Sequence, residues 1–210
     1  MAQRADTAVA VAAPWDAPDP ATDPGPVTEA TYRRVAMEDP ERQWELHDGL
    51  LREKPGMGME HNDVMFYLGA QLLPRLDASK FRIRVNSARL RLPFGRYYIP
   101  DLVVVPTEEV LKIAGREGEL EFYDRPVPFL AELRSPSTSR YDINVKLPNY
   151  QKRGDLEIWR LEPYEHRLTA WRRRPDGTYD ESLHTSGVVQ LTGLPDVEID
   201  LDALFDVRAR

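Results

Sequence analysis

Apolar and polar positions change period several times along the chain, and each change marks an element. "HNDVMFYLGAQLLPRL", from His61, repeats Val64, Met65, Leu68 and Leu72 three or four apart, which predicts an amphipathic helix. "KFRIRVN" and "ARLRLPF" alternate apolar with basic residues, which predicts strands with one buried face. "IPDLVVVP" and "PVPFLAELR" carry unbroken apolar runs, as strands covered on both faces do. "WELHDGLLREKP" reads as a strand pair turning at Asp48 and Gly49, a dipeptide suited to the positive φ of a tight hairpin. "LEIWRLEP", "HRLTAWRRRP" and "TYDESLH" predict three further strands, the last two joined at Pro175, Asp176 and Gly177. "VTEATYRRVAM" predicts a helix capped by Thr28, and "LPDVEIDLDALF" ends in a short amphipathic segment. This order predicts an α+β fold: one mixed central β-sheet flanked by helices, with extra antiparallel hairpins.

Composition narrows the field. The chain has 210 residues, enough for one domain with a real core, here placed at 27–210. Residues 1–26 are rich in alanine, proline and aspartate and predict a disordered or loosely docked tail. Their "AVAVAAPW" is too short, and too close to Asp6, for a signal peptide. There is no cysteine, which excludes disulfides and thiolate chemistry and suits the cytoplasm. No apolar run reaches membrane-spanning length. A net charge of -7 argues against a general nucleic-acid coat protein but leaves room for a local basic groove.

The chemistry gathers around "IPDLVVV" and "FLAELRSPSTSRYDINVKLPNY". Asp101 opens one buried strand and Glu132 closes another. If these strands run antiparallel and adjacent, the two carboxylates meet at one end of the sheet. They would repel unless a cation sat between them, and a hard divalent ion such as Mg²⁺ or Mn²⁺ prefers such oxygen donors. The main-chain carbonyl of Leu133 is a candidate third donor. In the following segment, a helix from about Val145 to Arg153, capped by Asn144 and ended by Gly154, would carry Pro148 in its first turn and set Lys146 and Tyr150 on one face. Lys146 could then orient a water or neutralise developing charge.

The set "IPD", "AELRSPST" and "DINVKLPNYQKRGDLEIWRLEP" resembles the Uma2-like (DUF820) group of bacterial endonuclease-type proteins, of the PD-(D/E)xK restriction-endonuclease class. "WELHDGLL" and "LPDVEIDLDALF" also look like that family, so the resemblance runs from about Trp44 to Phe205. It implies a restriction-endonuclease-like fold, with Asp101 and Glu132 as carboxylates for Mg²⁺ or Mn²⁺ and Lys146 as the basic residue. It also implies a nucleic-acid substrate, DNA by analogy, and a homodimer. The fold class places a lysine two residues beyond the glutamate. Arg134 stands there, either as a phosphate contact or as a surface arginine. Arg160 and Glu162 are further departures.

Other readings stay open beside these. Lys146 and Asp142 could pair along a solvated helix face, and Tyr150 could be packing. Ser135, Ser137 and Thr138 read first as turn residues. His61 shares the apolar helix face and is either a satisfied core histidine or a residue approaching the metal; Glu45 could approach likewise. Four histidines without paired spacing argue against zinc. Arg82, Arg84, Arg89 and Arg91 would line one face of alternating strands, as an ordinary solvated face or as a phosphate-tracking surface. The sequence therefore predicts a metal-dependent endonuclease, with a catalytically silent, homodimeric assembly module as the rival.

Overall fold

The computed structural model describes residues 26–134 and 141–206. The predicted tail (bar residue 26) lies outside them, as do Ser135, Ser137 and Thr138. The strands are β1 (Trp44–His47), β2 (Leu50–Glu53), β3 (Phe81–Val85), β4 (Arg89–Leu92), β5 (Arg96–Tyr98), β6 (Leu102–Pro106) and β7 (Phe122–Tyr123). They continue with β8 (Phe129–Leu133), β9 (Glu157–Glu162), β10 (Arg167–Arg173), β11 (Tyr179–His184), β12 (Val188–Gln190) and β13 (Glu198–Asp200). The helices are α1 (Glu29–Glu38), α2 (Met59–Leu72), α3 (Thr107–Ile113), α4 (Leu147–Arg153) and α5 (Leu201–Phe205).

The α+β class holds, but the strands do not share one sheet. Six form a mixed sheet in the order β11-β10-β9-β8-β6-β3, and five form a second in the order β2-β1-β5-β4-β7. β12 and β13 pair separately. The division follows from burial. β6 and β8 are apolar on both faces and so take central places. On β6, Leu102 and Val104 face a core built with Val64, Met65, Leu68 and Leu72 of α2, whereas Val103 and Val105 face a cluster containing Leu90, Tyr98 and Tyr150. Each such aliphatic side chain contributes about 1.5–3 kcal/mol by leaving water. The second sheet and α4 thus cover one side of the central sheet, and α2 covers the other.

Two local predictions meet the structure differently. The first hairpin turns as expected, with Asp48 at φ 48° and Gly49 at φ 79°. Asn144, by contrast, is not a helix cap. A wide π-turn spans Asp142–Lys146 and runs directly into α4, closed by the Leu147 N–H on the Asp142 carbonyl. Pro148 explains the widening: it lacks an N–H and its ring would crowd the carbonyl four residues back, and a longer-period turn relieves both. Gly154, at φ 88°, ends α4 as expected. Asp155 follows, buried, and accepts from the Val127 N–H at 2.8 Å and from Arg153, which ties the end of α4 to the approach of β8.

Burial raises the Asp155 carboxyl to about 6, against the attraction of Arg153. The folded chain then holds this proton more tightly than the unfolded chain, whose carboxyl titrates near 3.8, so stability from this group is lost as pH rises from about 4 to about 6. Thermal unfolding across that window checks it: the melting temperature of the wild type should fall relative to that of Asp155→Asn. Gly193 gives a second test. A Cβ there would lie 1.9 Å from the carbonyl oxygen of Pro128, so Gly193→Ala should cost about 2–4 kcal/mol in urea unfolding.

Candidate active site

β6 and β8 run antiparallel with Leu102 opposite Ala131, which brings Asp101, just before β6, beside the end of β8. Asp101 Oδ2 accepts the Leu133 N–H at 2.6 Å. Glu132 Oε1 accepts from the Tyr150 hydroxyl at 2.6 Å and from the Lys146 ammonium at 3.2 Å. Both donors sit one turn apart, so the helical run through the π-turn and α4 presents them together. The Lys146 Nζ is also 2.9 Å from Glu45 Oε1 and 3.9 Å from Asp142 Oδ1. Glu45 belongs to β1, which pairs with β5, and there its Oε1 accepts the Ile99 N–H at 2.7 Å.

A second lysine closes the cluster. Lys54, just past β2, donates to Asp101 Oδ1 at 2.7 Å, to Asn86 Oδ1 at 2.6 Å and to the Ile99 carbonyl at 2.8 Å. Those three acceptors use all three ammonium protons. His61 brings Nε2 to 3.2 Å from Asp101 Oδ2, close enough to interact but outside the alignment of a full hydrogen bond. Glu45, His61, Asp101, Glu132, Asp142 and Lys146 are all buried.

The two central carboxyls titrate in opposite directions. Burial would raise Asp101, yet Lys54 and His61 outweigh it and hold the carboxyl well below the usual range. Burial raises Glu132 and prevails over Lys146, with Asp101 and Asp142 pushing the same way. For Lys146, burial acts downward but Glu132, Glu45 and Asp142 together raise it, so it stays an ammonium. Burial, reinforced by Glu132 and Glu45, raises the Tyr150 phenol, which therefore stays a neutral donor. Four carboxyl groups (Glu45, Asp101, Glu132, Asp142) and two ammonium groups (Lys54, Lys146) share this cluster. Among the described residues no three His, Cys, Asp or Glu side chains form a ready-made metal cluster. Asp101 and Glu132 nonetheless present carboxylate oxygens, the donor type a hard divalent cation takes.

Asp101, Glu132, Lys146, Glu45, His61 and Tyr150, all singled out from sequence, therefore converge. Arg134 does not join them. Parallel pairing of Glu132 with Arg160 carries Arg134 alongside Glu162, and it bonds Glu165 and lies 3.6 Å from Glu162. Arg160 also turns to Glu162, at 3.2 Å. The single basic face expected for Arg82, Arg84, Arg89 and Arg91 is absent, because β3 and β4 lie in different sheets. Arg84 pairs with Glu121 at 2.6 Å and Arg91 with Glu29 at 2.5 Å. Arg82 and Arg89 donate to the nearby carbonyls of Phe81 and Ser87. Lys54 and Asn86 were not foreseen. The only sequence signal for Lys54 is its place after a hairpin whose first strand holds Glu45.

Comparison with known proteins supplies a family and a related fold. The family model Uma2, described as "Putative restriction endonuclease", matches residues 30–204. Among solved structures, "a putative nuclease belonging to DUF820" from Anabaena variabilis superposes with a TM-score of 0.64 at 15% identity, covering 79% of this chain and 90% of that one. No curated protein matches. Among the described residues no helix is long and apolar enough to cross a membrane.

Removing Lys146 would leave Glu45, Glu132 and Asp142 buried without their ammonium. Lys146→Met should therefore destabilise the fold by about 3–5 kcal/mol in urea unfolding at neutral pH. An unchanged midpoint would mean the carboxylates find their neutralisation elsewhere.

Proposed function

Since the chain belongs to the Uma2 family of restriction-endonuclease-type proteins, we propose that it is a divalent-cation-dependent endonuclease that cuts DNA with the Asp101 and Glu132 carboxylates. One observation carries this reading: the β6–β8 register sets Asp101 beside Glu132, with the Lys146 ammonium on Glu132. DNA is favoured over RNA because restriction endonucleases act on it.

Asp101 and Glu132, with the Leu133 carbonyl, are the groups that would hold Mg²⁺ or Mn²⁺. When bound, such an ion supplies a Lewis acid for the phosphoryl oxygen and a water acidic enough to deprotonate near neutrality. The chain's own residues do the rest. Lys146 offers an ammonium that orients the attacking water and offsets the charge growing on phosphorus. Glu45 and Asp142 hold that ammonium in place, and Tyr150 fixes the rotamer of Glu132 through its hydroxyl. His61 backs Asp101 from α2. Because α2, the second sheet and α4 bury these groups, each charge acts with little screening.

A second reading has its own support. The Lys54 ammonium rests on Asp101 Oδ1, where a cation would be expected to bind, as suits a silent assembly module that keeps the fold as a homodimer. Plasmid cleavage in Mn²⁺ decides between the two. The endonuclease reading predicts nicking that Asp101→Asn and Glu132→Gln each reduce by at least about a hundredfold, with near-native circular dichroism. No cleavage by the wild type, or equal cleavage by all three, would reject it; a dimer in light scattering without cleavage would favour the module.

A further inference from the structure

Lys54 has no part in the chemistry just described, yet it is held with more care than a chance ion pair. Two of its acceptors belong to the scaffold rather than to the acidic cluster: the Asn86 side chain and the Ile99 carbonyl. Asn86 sits at φ 48° between β3 and β4, and its N–H donates to the Asp101 carbonyl at 2.9 Å. Its own carbonyl accepts from Gln43, and its side-chain amide lies 3.2 Å from the Met65 sulfur. Asparagine tolerates this left-handed conformation better than most residues, so the backbone here is shaped around the lysine's acceptor. The other oxygen of Asp101 is already committed to the Leu133 amide, with His61 close by. A divalent ion approaching Asp101 therefore meets Oδ1 with an ammonium already on it.

Resting on the metal-site reading above, we infer that Lys54 is a built-in counter-ion that competes with the divalent cation for Asp101 and so sets the affinity of the site. In the metal-free protein it neutralises Asp101. On metal binding it must share or give up that oxygen, while Asn86 and Ile99 keep it tethered nearby. A purely structural ion pair would behave differently: its loss would lower stability and leave metal affinity as it was.

Calorimetric titration with Mn²⁺ alone separates these cases. Lys54→Met should bind Mn²⁺ about tenfold or more tightly than the wild type, since one adjacent like charge is removed. Its melting temperature without metal should fall, and Mn²⁺ should restore more of it than in the wild type. Lys54→Arg, which keeps the charge, should stay near wild-type affinity. Lys54→Gln keeps donors for Asn86 and Ile99 and gives the same readout if the methionine variant does not fold. Equal or weaker Mn²⁺ binding by the folded neutral variants overturns the inference. If Asp101→Asn still abolishes Mn²⁺ binding by the wild type in that case, the metal-site reading survives alone. If neither the wild type nor the neutral variants bind Mn²⁺, both fall. Binding by the neutral variants but not by the wild type supports the role of Lys54 and counts against a metal-loaded wild type.

Discussion

Burial of several carboxylates at the junction of β6 and β8 is the constraint on which the rest of the structure depends. Each ionised group taken out of water costs several kcal/mol unless charge and hydrogen bonds meet it. Asp101 and Glu132 are brought together by nothing more than an antiparallel register, and the surrounding elements then have to supply positive charge and donors. Lys54 arrives from the end of the first hairpin, and Lys146 and Tyr150 from the π-turn and α4. The Leu133 amide and His61 complete the contacts on Asp101.

The unusual features of the fold follow from that requirement. A proline inside the continuous helical run from Asp142 to Arg153 would ordinarily kink or end it; the π-turn lets the chain pass it and keeps Lys146 and Tyr150 aimed at Glu132. The second sheet exists on the side where Glu45 and Lys54 are needed, and its pairing of β1 with β5 sets Glu45 on the Ile99 amide. Charge is met unevenly: Lys54 and His61 hold Asp101 ionised, whereas burial prevails over Lys146 at Glu132 and makes it hold its proton more tightly. The divalent ion proposed above would bring further positive charge to that carboxylate.

Much of this could be read from the sequence because it depends on short-range rules. Unbroken apolar runs marked β6 and β8, Asp48-Gly49 marked the hairpin, and four-residue spacing put Lys146 and Tyr150 on one face. Asp101 and Glu132 could be paired from sequence because each sits at the end of a buried strand. What escaped depends on which sheet a strand joins. The arginines of β3 and β4 alternate alike but are separated by sheet assignment, and each finds a local partner. Arg134 was drawn away by the parallel neighbour that carries Glu162. Lys54 was missed because only the three-dimensional closure of β2 against Asn86 and Ile99 distinguishes it from any surface lysine after a hairpin.

Anomalous diffraction from a crystal soaked in Mn²⁺ tests the central claim most directly. The account predicts one strong peak within bonding distance of both the Asp101 and Glu132 carboxylates, with the Lys54 ammonium drawn back from Asp101. Full Mn²⁺ loading elsewhere on the molecule, with Lys54 still seated on Asp101 and no peak between the two carboxylates, would contradict it.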